Sequence, residues 1–71
     1  MQTLRDLRKQ AGKTCAEVAE TLGVTTSAVR NYEQGIRKIC VEQIVPLADL
    51  YEVFVVDIID AKDETLKVRK S

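Results

Sequence analysis

Four side chains in one short stretch, Thr26, Ser27, Arg30 and Asn31, could do chemistry, and that chemistry is hydrogen bonding rather than bond making. Interleaved with Val29 and Tyr32, they fall on one side of a helix whose other side is apolar. Asparagine offers a donor and an acceptor together and arginine a rigid fork of donors, so such a face suits recognition of polar edges. Little else in the chain is reactive. It has no histidine, which removes the side chain that titrates unaided near neutrality, and with it a ready general base or metal ligand. Cys15 and Cys40 are the only cysteines; they are read as reduced thiols, and no cofactor or metal is expected. At 71 residues there is little chain left to build a substrate pocket around lysines or carboxylates, so neither an enzyme nor a small-molecule substrate is expected.

A recognition face needs a helix held clear of the body, and the flanking sequence supplies the parts. Leu4, Leu7 and Ala11 recur at helical spacing and predict a first helix closed by Gly12. Thr14 and Glu17 form a capping box for a second helix with Val18, Ala19 and Leu22 inward, ended by Gly23. Thr25 caps a third helix whose apolar side is Val29, Tyr32 and Ile36, ended by Gly35. A fourth helix is expected over 41–51, with Val41, Ile44, Val45, Ala48 and Tyr51 inward and a bend at Pro46. The run from Val53 to Ile59 is rich in β-branched residues and suits a strand, even a hairpin with Thr65 to Arg69; it also suits a short helix closing the bundle, and the helix is the reading adopted. The expectation is an all-α, compact five-helix bundle over residues 1–60, followed by a charged tail over 61–71, fraying from Lys62.

The longest apolar run, Val53 to Val56, is far too short to cross a bilayer, and Met1 to Arg5 lacks a signal-peptide stretch, so a cytoplasmic protein without a membrane is expected. Net charge is zero but unevenly spread. Residues 1–38 carry seven basic and four acidic side chains, residues 39–61 five acidic and none basic, and residues 62–71 four basic and two acidic. A polyanion could meet the basic half while the acidic stretch faces away.

Between Cys15 and Tyr32 the spacing has a mechanical meaning. Two short helices cross steeply only if the contact residue on the first is small, which Ala19 is. The turn needs a residue free to take positive φ, which Gly23 is. This is the helix-turn-helix arrangement, in helices 2 and 3, which leaves the second of the pair standing proud. The chain resembles the Cro/phage-repressor-type, or XRE-like, helix-turn-helix domains through Leu4-Arg-Asp-Leu-Arg, Ala11-Gly-Lys-Thr, Glu17-Val-Ala-Glu-Thr-Leu-Gly-Val24, Val29-Arg-Asn-Tyr-Glu-Gln-Gly35 and Leu47-Ala48 with Val53.

The resemblance implies the five-helix fold and operator binding as a dimer, with Thr26, Ser27, Arg30 and Asn31 contacting bases in the major groove of double-stranded DNA. Phosphate contacts are assigned to Arg8, Lys13, Thr14, Cys15, Thr25, Arg37 and Lys38, from helix starts and flanking side chains. It also implies that Arg8 pairs with Glu33 to fix the third helix. The chain departs from the family pattern at Cys15, where a glutamine is usual, and at Ile39, Cys40 and Phe54, where proline, serine and a polar cap are usual. The surplus of apolar residues around Phe54 marks Phe54, Val55 and Ile58 as a homodimer contact. The function expected is a sequence-specific transcriptional regulator acting as a repressor. The rivals are a protein-interaction module of the same fold, such as an antitoxin or polymerase-binding partner, and a small enzyme or redox-sensor thiol protein, the sensor being Cys15.

Overall fold

A computed structural model describes residues 2–70 as five helices: α1 (Leu4–Gln10), α2 (Cys15–Leu22), α3 (Thr26–Glu33), α4 (Val41–Tyr51) and α5 (Val55–Lys70). No strand occurs among the described residues, so the β-branched run after Val53 is helical from Val55 onward. Tertiary burial overrides its strand propensity: Ile58 has 0% of its surface exposed and lies in the core.

Short helices need their first-turn N–H groups satisfied, and the sequence does this with side chains. The Thr14 hydroxyl accepts the Glu17 N–H at 3.1 Å, while the Glu17 carboxylate accepts the Thr14 N–H at 3.0 Å. Thr3 and Asp6 repeat the box on α1, and the Thr25 hydroxyl accepts the Ala28 N–H on α3. At the other end of α2, Gly23 takes φ +69° and turns the chain into α3. The core is gathered from all five helices, with Val18, Val29 and Ile58 its most deeply buried large side chains.

Three placements differ from the sequence reading. Ile36, Val41 and Val45, expected inward, are 54%, 80% and 55% exposed. The buried stripe of α4 is Ile44, Leu47, Ala48 and Tyr51, and one further residue turns Val45 about 100° out of it. Ile36 leaves the helical register because α3 ends at Glu33 and Gly35, at φ +77°, reverses the chain. In its stead Ile39 fills the core. Ile58 likewise cannot form a dimer surface, since α5 turns it wholly inward, whereas Phe54, Val55, Val56 and Ile59 remain exposed.

Up to Lys70 the predicted fraying tail is instead the second half of α5, and Ser71 lies outside the described residues. Ala61 and Thr65 are buried, and the Thr65 hydroxyl accepts the Leu4 N–H at 3.1 Å while donating to the Ala61 carbonyl at 2.9 Å. Leu4 is the first residue of α1, so α5 supplies a partner for one of the donors that a helix start leaves open. Pro46 is accommodated inside α4, which continues to Tyr51.

Candidate nucleic-acid interface

The turn between α2 and α3 is short because its hydrogen bonds close it twice: Gly23 N–H donates to the Glu20 carbonyl at 3.3 Å and Val24 N–H to the Ala19 carbonyl at 3.0 Å. Ala19 is buried and small, and Val18 and Val29 close the corner beneath it. On α3, Ala28, Val29 and Tyr32 face the core. Ser27 and Arg30 are exposed, and Thr26 and Asn31 are half-buried on the outward side. Among the described residues, no hydrogen bond ties down the side chains of these four, so their donors and acceptors stay available.

Two contacts fix α3 against the body. Arg8 Nε donates to Glu33 Oε2 at 2.6 Å and Nη2 to Oε1 at 3.2 Å, a two-pronged pair across α1 and α3. Arg8 Nη1 donates to the Lys13 carbonyl at 3.0 Å, tying the α1–α2 loop into the same knot. The hydrogen bond to Glu33 raises the already high affinity of Arg8 for its proton. Burial pushes the nearby Tyr51 phenol up as well, so that ring stays neutral beside the pair. On the far side of α3, Gln43 Nε2 donates to the Tyr32 hydroxyl at 3.3 Å, and the Arg37 guanidinium lies 6.0 Å above the Tyr32 ring.

The residues assigned to phosphates fall into distinct settings. Arg37 and Lys38 are exposed just beyond α3, and Lys13 is half-buried in the loop before α2. The oxygens of Thr14 and Thr25 accept the N–H groups of their caps, which leaves each hydroxyl proton to donate outward. Cys15 is half-buried and packs against the core, as a small apolar residue would. Arg8 is committed to Glu33 and Lys13. Beside it Arg5 and Arg30 line an open groove with Arg8, Cys15, Glu33 and Gln34. Arg5 was not singled out from the sequence, although it precedes Arg8 by three residues on one helix and so shares its face. A second open groove, on α5, has the opposite character, lined by Asp57, Asp60, Asp63 and Glu64 with Gln2 and Lys67. Among the described residues no helix is long and apolar enough to cross a membrane.

Comparison with known proteins bears on this geometry. A family model described as a helix-turn-helix domain matches residues 2–58. The chain is also similar to a Pyrococcus furiosus protein provisionally named an HTH-type transcriptional regulatory protein, with 33% identity over 66 residues. The match covers 89% of this chain and 21% of that relative, so the chain spans only a fraction of the relative's length. No solved structure matches it.

Proposed function

Because the chain belongs to the helix-turn-helix domain family, we propose that it binds double-stranded DNA with α3 in the major groove and regulates transcription as a repressor. The observation that carries this reading is the outward side of α3: four polar side chains with no internal partner, on a helix clamped by Arg8–Glu33 and by Tyr32–Gln43. A reading head must not move as it reads, and those clamps serve that need. Asn31 suits bidentate contact with adenine, with Thr26 and Ser27 beside it on the same face. Arg37, Lys38, Lys13 and the hydroxyls of Thr14 and Thr25 hold backbone phosphates, which sets register and gives affinity without sequence preference.

Dimerisation on a two-fold operator completes the proposal. Phe54 is 78% exposed and lies next to Val55, Val56 and Ile59, all solvent-facing, at the start of α5. An exposed apolar cluster of this kind on a small domain marks a contact surface. The similarity to a relative named as a transcriptional regulator supports the regulatory role.

The test is selection of binding sites from randomised duplexes, followed by affinity measurements across salt. Asn31→Ala is expected to cost about 1–3 kcal/mol and relax preference at one base pair. Arg37→Gln is expected to weaken all sequences alike and lower the slope of log affinity against log salt by about 0.9. Failure to enrich any sequence, with no salt-dependent duplex binding, would refute the proposal and favour the protein-interaction module.

A further inference from the structure

We propose that the groove between α1 and α3 is a seat for one DNA backbone phosphate, clamped by Arg5 and Arg30, so that Arg30 belongs with the phosphate contacts and not with the base readers. The inference rests on the DNA-binding reading above and refines it.

Three arginines from two helices converge on one open groove of about 300 Å³, together with Cys15, Glu33 and Gln34. The charge arithmetic within it is simple. Glu33, its one acidic lining residue, is neutralised by Arg8 through two short hydrogen bonds. Arg5 and Arg30 are exposed, and neither has a carboxylate within ion-pair distance among the described residues. The groove therefore holds a surplus of two positive charges facing solvent. A tetrahedral anion of single charge, with several acceptor oxygens, suits such a surplus, because each guanidinium presents its own fork of donors.

Helix geometry sets Arg30 apart from Asn31 and places it between Thr26 and Ser27 around α3. Successive residues turn by about 100°, which puts Arg30 roughly 100° from Asn31 and 60° from Ser27 around α3. The turn from Arg30 leads back toward Thr26 and Glu33, the edge of α3 that meets α1 through Arg8. An α-helix lying in the major groove presents its centre to the bases and its edges to the two sugar–phosphate rails. What assigns Arg30 to a rail is the groove itself, which Arg30 lines from α3 and Arg5 from α1, beside the Arg8–Glu33 pair.

The experiment compares the full chain with Arg5→Gln, Arg30→Gln and Arg30→Lys by fluorescence anisotropy. Two duplexes are used, one selected by the wild-type protein and one of unrelated sequence, across roughly 50 to 200 mM salt. Each Gln variant is expected to weaken both duplexes by the same factor and to lower the salt slope by about 0.9. Arg30→Lys is expected to restore slope and affinity, since a phosphate accepts a point charge where a guanine edge needs the fork. Thermal unfolding of all three is expected to match wild type, because both side chains are exposed and unpaired. If Arg30→Gln leaves the slope unchanged and instead relaxes preference at one base pair, the clamp is wrong while DNA binding stands. If inorganic phosphate shifts the Arg5 and Arg30 side-chain resonances but neither Gln variant alters duplex binding, the groove serves a free anion and the proposal fails. If wild type binds no duplex at any salt, this proposal and the reading beneath it fall together.

Discussion

Glu33→Gln should loosen α3 without removing any group that faces outward. The Arg8–Glu33 pair is mostly shielded from water, with side-chain exposures of 14% and 9%, and its shorter bond is 2.6 Å. Removing one partner from a fully buried pair costs about 3–5 kcal/mol, whereas an exposed pair is worth at most about 1 kcal/mol. Here Arg8 keeps its bond to the Lys13 carbonyl and some contact with water, and glutamine retains one acceptor oxygen. The expected cost is therefore about 2 kcal/mol, between those limits. For a domain of this size each kcal/mol moves the melting temperature by about 4–8 °C, so the variant should melt roughly 8–16 °C lower. Circular dichroism on heating, with urea titration for the free energy, makes the measurement. Arg8→Met and the double variant close a cycle, in which a coupling above about 1 kcal/mol is expected. A cost for Glu33→Gln below about 0.5 kcal/mol with no coupling would show the pair to be ordinary surface charge, and the account of how α3 is held would fail.

Two further outcomes follow from the caps. Thr65→Val keeps the side-chain shape but leaves the Leu4 N–H without its partner, so a loss of about 1–2 kcal/mol is expected, with faster amide hydrogen exchange at Leu4; unchanged exchange there would dismiss the link between α5 and α1. The carboxyls of Asp6 and Glu17 lie below their ordinary values of 3.8 and 4.5, chiefly because each accepts the N–H of its own N-cap threonine. A carboxyl whose value is lower folded than unfolded stabilises fully above the unfolded value and loses that contribution as pH falls through the folded one. The urea midpoint should therefore hold near neutrality and decline on acidification through and beneath pH 4.5 and 3.8; an equal decline in an Asp6→Asn, Glu17→Gln variant, which has neither carboxyl, would contradict this origin.

Much of the molecule can be read from residue types because its helices carry their own punctuation. Thr14 with Glu17, Gly23 and Thr25 are local signals whose meaning depends on neighbours within four residues, and the structure uses them as read. What could not be read depends on distant packing. Val45 looks as apolar as Leu47, and only the angle at which α4 meets α2 and α5 decides which one is buried. The same holds for α5: neither Ile58 in the core nor Thr65 beneath α1 can be told from a polar, charge-rich stretch whose partner lies 61 residues earlier. At the site, the outward side of α3 was legible from its alternation of polar and apolar residues. The groove shared with Arg5 was not, because it exists only where two helices meet.

A net charge of zero does not count against binding a polyanion, because the sum over the chain is the wrong quantity. At physiological salt, charges more than about 8 Å apart are largely screened from one another, so a phosphate responds to its immediate surroundings. In the groove at α1 and α3 those surroundings are Arg5, Arg8 and Arg30, with Glu33 already spoken for. The carboxylates of Asp57, Asp60, Asp63 and Glu64 line a different groove on α5. Their sign has a use. In the proposed DNA complex, an acidic flank disfavours approaches that would bring α5 to the backbone, which favours orientations with α3 leading.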